Sequence, residues 1–239
     1  MSSNINDNEL ISLKETVKNL ENEVNYLKNE NANLIRRIDI LEKIFLTKNN
    51  EINFDYASNI LSKGIQLNFV LKQIYVNNNI QSNKKCNLNL IYRATRDGDN
   101  VETYHKKTNY VPDTITLIRT KDGFIFGGFT HIQIPNGYGT NYDDDKAFVF
   151  SLDYNKIYLP QKGHCSKHSN DDYGPIFGNN EHCEYPILIE GNNFFNNSSH
   201  RTCTKNNCFY DNFSFDYELN KGKKNFEVNE IEVYKVNFE

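Results

Sequence analysis

The sequence predicts an α+β protein in which an N-terminal parallel coiled-coil helix precedes an antiparallel β-sandwich with short flanking helices. Up to residue 47, apolar residues recur at alternating steps of three and four, and neither Pro nor Gly interrupts them. From about residue 86 onward, turn residues separate short apolar and aromatic runs. The last run, FEVNEIEVYKV, alternates apolar and polar residues as a half-buried strand does. The predicted domains are a coiled coil at 8–47, a linker at 48–53 and a folded domain at 54–239.

Bulk properties exclude several classes of protein. The 239-residue chain has a formal net charge of −4, which gives no electrostatic reason to expect a nucleic-acid partner. No run approaches the roughly 18 consecutive apolar residues of a membrane span, and the N-terminus lacks the pattern of a signal peptide. We therefore expect a cytoplasmic protein without membrane insertion. Its five cysteines are then expected to be reduced thiols.

The heptad repeat predicts a parallel homodimer. Leucine fills every d position and β-branched residues fill several a positions, a combination that favours two strands. A buried Asn at one a position fixes the register, and the flanking charges would pair attractively between strands, for example Glu9 with Lys14. The predicted dimer contacts are Leu13, Val17, Leu20, Val24, Leu27, Asn31, Leu34, Ile38 and Leu41. A trimer, a heteromeric partner and packing within the chain are the alternatives.

The zipper is not that of a basic-zipper transcription factor. The residues before the repeat, SSNINDNE, contain no Lys or Arg, whereas that class of protein needs a helical basic region there to enter the major groove. The sequence thus gives no support for DNA binding by this route.

Beyond the linker, local patterns predict the elements in order. Apolar residues between Ile60 and Ile74 predict one or two short helices, with Gly64 between them. The segment CNLNLIYRATRDG opens the β-rich region, and residues 103–109 predict a short helix. A break in the alternation between Val228 and Ile231 predicts a β-bulge. The other predicted strands are Thr114–Arg119, Phe124–Phe129, Ala147–Leu152, Lys156–Leu159, Ile187–Ile189 and Phe226–Val236.

A glycine-rich stretch, TLIRTKDGFIFGGFTHIQI at 116–134, raises the question of a phosphate site. It has neither the GxxxxGK[ST] pattern nor the GxGxxG pattern of phosphate-binding loops, and no helical pattern follows it. The alternation on both sides of Asp122 and Gly123 instead predicts a hairpin with a two-residue turn. Gly127 and Gly128 in the return strand then indicate a bulge or the close approach of an aromatic ring.

Two further motifs carry residues of structural interest. The first comprises Arg93, Arg96, Asp97 and Gly98 at a strand-to-turn transition. We interpret it as Arg–Asp pairing and turn capping, with a polar binding site as the alternative. The second is YGPIFG at 173–178, where Gly174, Pro175 and Gly178 indicate a turn and Phe177 an anchor in the core.

The metal and catalytic signals are weak. Cys165, His168, Cys203 and Cys208 have the donor types of a zinc site without its usual paired spacing, so we predict no metal and no cofactor, with this set as the candidate if one binds. No GxSxG motif occurs, and we predict no enzyme. Cys165 with His164 or His168 gives the alternative of a peroxide-reactive thiol. The acidic run YDDDK at 142–146 predicts a solvated loop, with cation binding as the alternative.

Six stretches, in this order and spacing, resemble the TLDc domain of oxidation-resistance proteins. They are SNIL at 58–61, LIYRATRDG at 90–98, TLIRTKDGFIFGGFT at 116–130, KAFVFSL at 146–152, YGPIFG at 173–178 and FEVNEIEVYKV at 226–236. The resemblance covers roughly residues 54–238. SNIL corresponds to a helical start of the domain, whereas the loop after Gly178 departs from the family pattern.

The resemblance implies a function that composition and periodicity do not show. It implies a TLDc-like sandwich that acts as a non-enzymatic protein-interaction module, protecting against oxidative stress. It also implies binding to the vacuolar proton ATPase and regulation of its assembly, so that the protein would lie at vacuolar or endosomal membranes through that partner. An adaptor in membrane traffic is the alternative. The coiled coil would add avidity by presenting two domains.

Overall fold

The computed structural model describes residues 7–49, 53–55, 57–61, 67–80, 84–162, 166–178, 185–205 and 210–239. The chain divides into two compact units, Met1–Asn49 and Asn50–Glu239. The predicted boundaries at 8–47, 48–53 and 54–239 remain predictions.

The first unit is a single helix, α1 (Asp7–Asn49), of 43 residues. Its a- and d-position side chains from Leu13 to Leu34 are exposed, and the aliphatic ones among them expose 48–56% of their surface. The side chains of Ile38 and Leu41 lie outside the described part of the chain. The helix is therefore shown, while the parallel dimer stays a prediction.

The second unit contains three helices and thirteen strands within its described residues. The helices are α2 (Asn68–Asn77), α3 (Ala94–Asp97) and α4 (Val101–Thr108). The strands are β1 (Asn53–Phe54), β2 (Cys86–Arg93), β3 (Thr114–Thr120), β4 (Ile125–Thr130), β5 (Tyr138–Tyr142), β6 (Phe148–Ser151), β7 (Lys156–Tyr158), β8 (Lys167–Asn170), β9 (Tyr173–Phe177), β10 (Ile187–Glu190), β11 (His200–Arg201), β12 (Asn225–Phe226) and β13 (Val228–Phe238). Two 3₁₀ turns span Phe194–Asn196 and Glu218–Asn220.

The strands form two sheets. Sheet A has the order β1-β2-β13-β3-β4-β6-β7, and sheet B has the order β12-β11-β10-β9-β8-β5. β1 pairs with β2 in parallel, and the other pairs among the described strands are antiparallel. This confirms the predicted α+β class with two antiparallel sheets and is consistent with a β-sandwich.

Sheet A is covered on both faces. One face packs against sheet B, and the shared core joins Ile118 and Phe126 to Phe177 and Ile187. The other face packs against α2 and the segment before it through a second core, which includes Ile60, Leu61, Leu67, Val70, Leu71, Ile74, Ile115, Leu117, Phe129, Phe148, Phe150, Tyr234 and Val236. Polar residues on the strands of sheet A are therefore buried whichever way they point, unless they lie near a strand end or sheet edge.

Several local predictions are confirmed. The helix predicted at 103–109 is α4, whose first turn is capped by Asn100 accepting from the Thr103 N–H at 2.9 Å. The predicted bulge is a register shift between Val228 and Glu230 in the pairing of β13 with β3. α2 supplies a helix in the region predicted to be helical, and Gly64 lies outside the described residues.

The hairpin is present, but its turn is one residue longer than predicted. The Gly123 N–H donates to Thr120 O at 2.9 Å, and the Thr120 N–H donates to Phe124 O at 2.9 Å. Of the turn residues, only Gly123 has a positive φ, at 86°. The two-residue turn was wrong because Asp122 keeps a negative φ, which gives the three-residue loop with glycine in the left-handed position.

The paired glycines of β4 serve close packing, and the predicted bulge is absent there. β3 and β4 pair without a register shift, with Leu117 opposite Gly127 and Thr116 opposite Gly128. A Cβ on Gly127 would lie 1.9 Å from Thr116 O, and one on Gly128 would lie 2.5 Å from the Phe177 ring. The alternative of a close aromatic approach is therefore the one that the structure shows.

Gly127→Ala should destabilise the domain by more than about 3 kcal/mol, because the new methyl group meets a backbone carbonyl that cannot rotate away. Gly137→Ala is the matched control, since its Cβ would lie 3.6 Å from the nearest atom, an ordinary contact. We expect the control to change stability by less than about 1 kcal/mol. Urea unfolding of both variants tests this, and equal stabilities would contradict the packing argument.

Candidate functional site

Two buried carboxylates lie on β13, an inner strand of sheet A. Glu230 and Glu232 of β13 are 1% and 0% exposed. They bind polar groups of the segment 57–59 and of the β2–α3 junction, and together these groups form what we call the carboxylate cluster: Ser58, Asn59, Arg93, Thr95, Glu230 and Glu232. Ionised groups at such depth are stable only when they are fully hydrogen-bonded.

Glu232 receives four hydrogen bonds. Its Oε1 accepts from Arg93 Nε and from the Asn59 N–H, both at 2.8 Å. Its Oε2 accepts from Ser58 Oγ at 2.5 Å and from the Tyr234 hydroxyl at 3.1 Å. Burial, reinforced by the charge of Glu232, raises the pKa of Tyr234, so this residue remains a phenol and a donor.

Glu230 binds the short helix α3, which follows β2, in the same way. Its Oε2 accepts from Thr95 Oγ1 at 2.5 Å and from Asn59 Nδ2 at 3.3 Å. Its Oε1 accepts from the N–H groups of Thr95 and Ile231, both at 3.1 Å. Because Thr95 lies in α3, this carboxylate fixes the short helix on the last strand of the chain.

The two arginines of the Arg93–Gly98 motif bind different carboxylates, Glu232 and Asp97. Arg93 directs its guanidinium to Glu232 and to Ala57 O, at 2.6 Å from Nη2, while its backbone N–H donates to Asp97 at 2.9 Å. Arg96 donates to Asp97 through Nε at 3.0 Å and Nη2 at 2.7 Å. Burial alone would raise the pKa of Asp97, but the hydrogen bonds from Arg96 and Arg93 hold it below its ordinary value. Gly98 follows with φ 115°.

Sequence reasoning found Arg93 but missed its partners. In FEVNEIEVYKV the acids alternate with apolar residues, a pattern that places them on a solvent-facing side. The structure instead covers that side of β13 with the segment containing Ser58. Residues 58–61 are not helical as predicted, although Ser58 Oγ accepts from the Leu61 N–H at 2.8 Å as a helix N-cap does.

The Ser58–Glu232 contact has the length of a nucleophile–base pair, yet its surroundings fit an anchor. Ser58 Oγ also accepts from the N–H groups of Ile60 and Leu61, at 3.0 and 2.8 Å, so both of its lone pairs are occupied. The Glu232 oxygens are shared among four donors. This arrangement ties segment 57–61 to β13 with high specificity.

A second polar centre lies between the sheets at Lys167, which is 5% exposed. Its Nζ donates to Ile176 O at 2.6 Å and lies 3.9 Å from the centre of the Phe177 ring. Burial lowers the pKa of Lys167 to about 7, and the charge of Asp144 opposes that shift only in part. The lysine borders a polar cavity of about 30 Å³, also lined by Thr116 and Ser169, a volume that fits about one water molecule.

The YGPIFG motif forms a strand, and the predicted turn was wrong for Gly174 and Pro175. Both lie in β9, at a register shift against β10 between Leu188 and Glu190. The irregularity accommodates the proline, which has no N–H for the ladder. Phe177 is fully buried in the core that joins the two sheets. Gly178 follows with φ 102°, and its N–H donates to Ser166 O at 2.9 Å.

The candidate metal set is only partly described. Cys165 and Cys208, as well as His164, lie outside the described residues. His168 Nδ1 bonds to Asn141 Oδ1 at 2.7 Å, and Cys203 is buried in the core between the sheets. Within the described part of the chain, no three His, Cys, Asp or Glu residues are grouped as metal ligands. Both the zinc set and the peroxide-reactive thiol therefore stay untested.

The acidic run YDDDK is solvated only in part. Asp143 and Asp145 are exposed, but Asp144 is 2% exposed. Its carboxylate accepts from Thr130 Oγ1 at 2.7 Å and from the His131 N–H at 2.8 Å. The prediction of a solvated loop was wrong for this residue because the loop folds back over the end of β4.

These motifs belong together in one known family. The family model described as the TLDc domain matches residues 58–237. The chain belongs to the TLDc-domain family. Because the match begins at Ser58 and includes β13 up to residue 237, the whole carboxylate cluster lies within the TLDc domain. Among curated proteins, no match to this chain was found.

Membership in the TLDc family indicates an oxidative-stress-related protein-interaction module, and the family is generally non-catalytic. None of the helices in the described residues combines the length and the apolarity needed to cross a membrane.

Glu232→Ala should destabilise the TLDc domain by about 3–5 kcal/mol, because it leaves the buried Arg93 guanidinium without its carboxylate partner. Glu227→Ala is the control, since the Glu227 side chain is 49% exposed and pairs with Lys121 at the surface. We expect a change within about 1 kcal/mol for this control. Urea unfolding gives both values. Hydrogen exchange should also show loss of protection at the Asn59 N–H in Glu232→Ala alone; retained protection would contradict the anchoring role.

Lys167 makes the stability of the TLDc domain depend on pH. Its pKa is about 7 in the folded state against an ordinary value of 10.5, so the unfolded state binds more protons between these values, and stability rises with pH. Relative to Lys167→Met, the wild type should gain up to about 1.4 kcal/mol per unit between about pH 7 and 10. The exposed Lys224→Met variant should follow the wild type. Urea midpoints across this range test the effect, and parallel curves for wild type and Lys167→Met would contradict it.

Proposed function

We propose that this protein is a non-enzymatic interaction module that protects against oxidative stress by binding the vacuolar proton ATPase and regulating its assembly. The observation that carries the proposal is the TLDc match over residues 58–237. The proton ATPase is proposed as the partner because the family resemblance implies it. In this proposal the folded domain acts through the shape and charge of its surface, and no bond is made or broken.

The carboxylate cluster supports a scaffold role for the buried polar groups. Ser58, whose hydroxyl lies 2.5 Å from the Glu232 carboxylate, has its lone pairs occupied by two backbone N–H groups. The described thiols Cys86 and Cys203 are both buried. Burial raises the pKa of Cys86 to about 12, so this residue is present as the unreactive thiol. These described groups therefore support a rigid binding domain, whereas Cys165, the thiol of the peroxidase alternative, lies outside the described residues.

A second copy of this chain is the proposed partner of α1. Its a- and d-position stripe is exposed from Leu10 to Leu34, and an amphipathic helix of this length gains most of its stability from packing that stripe against a partner. In a parallel pair, Glu9 would face Lys14 and Glu23 would face Lys28. The dimer would present two TLDc domains and raise the apparent affinity for a partner with two sites.

Affinity purification of the full chain from its own cells, followed by mass spectrometry, tests the proposal. We expect subunits of the proton pump to co-purify. Recovery of membrane-traffic proteins without pump subunits would instead support the adaptor alternative, and absence of pump subunits would overturn the main proposal.

One pair of variants tests the dimer within the same experiment. Leu20→Glu with Leu27→Glu places charges in the stripe, whereas the matched control, Asn22→Glu with Asn29→Glu, places them on the opposite side of the helix. Light scattering should give a monomer for the first pair and a dimer for the control. Pump recovery should fall about 100-fold for the first pair, the lower end of common avidity gains. An unchanged mass for the leucine variant would refute the zipper.

Peroxide consumption by the purified protein distinguishes this proposal from the alternative of a peroxide-reactive thiol. The proposal expects equal and near-zero rates for the wild type and Cys165→Ser. A wild-type rate that the substitution abolishes would favour a peroxide-reactive enzyme.

A further inference from the structure

Three side chains at one end of sheet A form a hydrogen-bonded chain. Lys146 Nζ lies 3.3 Å from His131 Nε2, and His131 Nδ1 lies 2.5 Å from Asp113 Oδ1. Asp113 immediately precedes β3, His131 immediately follows β4, and Lys146 comes just before β6. Because these strands are antiparallel neighbours, the three loops meet at the same end of the sheet.

The backbone around this chain is fixed. The buried carboxylate of Asp144 accepts from the N–H groups of His131 and Lys146, at 2.8 and 3.2 Å. The Asp113 N–H donates to His131 O at 3.3 Å, and the Val236 N–H donates to Asp113 O at 2.8 Å. Asp113 is held at φ 52°, a conformation that aspartate tolerates better than most residues. The geometry is thus set by the fold before any ligand arrives.

The order of the three groups determines which ring nitrogen of His131 carries a proton. The Asp113 carboxylate can only accept, so His131 donates from Nδ1 and turns the lone pair of Nε2 toward Lys146. An amine, an imidazole and a carboxylate in this sequence place a nucleophile beside a general base, and the base beside a group that orients it. The His131 side chain is 39% exposed and that of Asp113 is 29% exposed, so a reagent from solvent can reach the site.

We propose that Lys146 is a self-acylation site that takes acyl groups from thioesters, with His131 as its general base and Asp113 as the positioning residue. This goes beyond the proposed function and does not rest on it.

The reaction needs no oxidant or reductant. The Lys146 ammonium first releases a proton to solvent. The amine then attacks the thioester carbonyl carbon, forming the N–C bond while the carbonyl π electrons move to oxygen. The surplus proton passes from Nζ to His131 Nε2, and Asp113 stabilises the resulting imidazolium. When the carbonyl re-forms, the C–S bond breaks, and the departing thiolate takes up the proton. The products are an amide on Lys146 and a free thiol.

Lys235 provides an internal comparison. Its Nζ bonds to the same carboxylate, Asp113 Oδ2, at 3.2 Å, and to Pro112 O at 2.7 Å. Its described contacts include no imidazole. If the charge of Asp113 or the exposure of this end of the sheet were sufficient, both lysines would react alike. Of these two lysines, Lys146 is the one with an imidazole in contact with its amine.

The test incubates the full chain with acetyl-CoA and follows acetylation of each lysine by peptide mass spectrometry. We expect Lys146 to react at least about tenfold faster than Lys235, at the modest end of what a general base contributes. His131→Gln should bring the ratio of the two rates close to one. Asp113→Asn should lower the rate at Lys146 itself, which is the quantity to compare because Lys235 also contacts Asp113. Asp122→Asn, which alters an exposed carboxylate at the hairpin turn, is the matched control and should leave the ratio unchanged.

Two results would overturn the proposal. One is a ratio near one in the wild type. The other is a high ratio that persists in His131→Gln, since exposure alone would then explain the rate. If His131→Gln does not fold, as judged by thermal unfolding, the wild-type ratio and the Lys146 rate in Asp113→Asn decide. A Lys146 rate that Asp113→Asn leaves unchanged also overturns the proposal.

Discussion

The need to satisfy two carboxylates inside a sheet governs the architecture of this domain. Glu230 and Glu232 lie on β13 with almost no exposure to solvent, and an unpaired charge at such a place costs several kcal/mol. The donors that satisfy them come from the beginning of the domain, since Ser58 is 174 positions away from Glu232 in the sequence. The first segment of the domain is therefore bound to its last strand, and the β2–α3 junction is fixed between them through Arg93 and Thr95.

The limits of sequence reasoning follow from the same arrangement. The strands β3, β4, β6, β7, β10 and β13 and the hairpin at Gly123 could be predicted because alternation and turn chemistry are local properties. The burial of Glu232 could not, because the pattern of an acid between apolar residues is the same whether water or a distant segment covers it. The turn predicted at Gly174 and Pro175 was wrong for the opposite reason. These residue types are typical of a turn, but pairing with the distant strand β10 places them in a strand with a bulge.

The candidate functional residues also differ in whether local sequence or a distant contact determines their role. Arg93 was identified as a structural residue from its motif. The Arg–Asp pair of that motif forms between Arg96 and Asp97, whereas the Arg93 guanidinium lies on Glu232. Nothing in the sequence indicates that Lys167 is buried, because the segment KHSN is polar throughout, as an exposed strand would be. Its position depends on Phe177, whose ring occupies the space that Gly128 leaves open. Two motifs that are separate in sequence thus form one stack of glycine, aromatic ring and amine.

The place of β13 in sheet A also affects how the chain reaches this fold. β2 and β3 are near each other in sequence but do not pair; β13 lies between them, and its Glu232 is 139 positions away from Arg93. During synthesis both strands leave the ribosome long before the strand that joins them. Contacts of such long range slow folding, and unpaired edges can recruit other extended chains. The nascent domain therefore carries two open edges until its last strand is made.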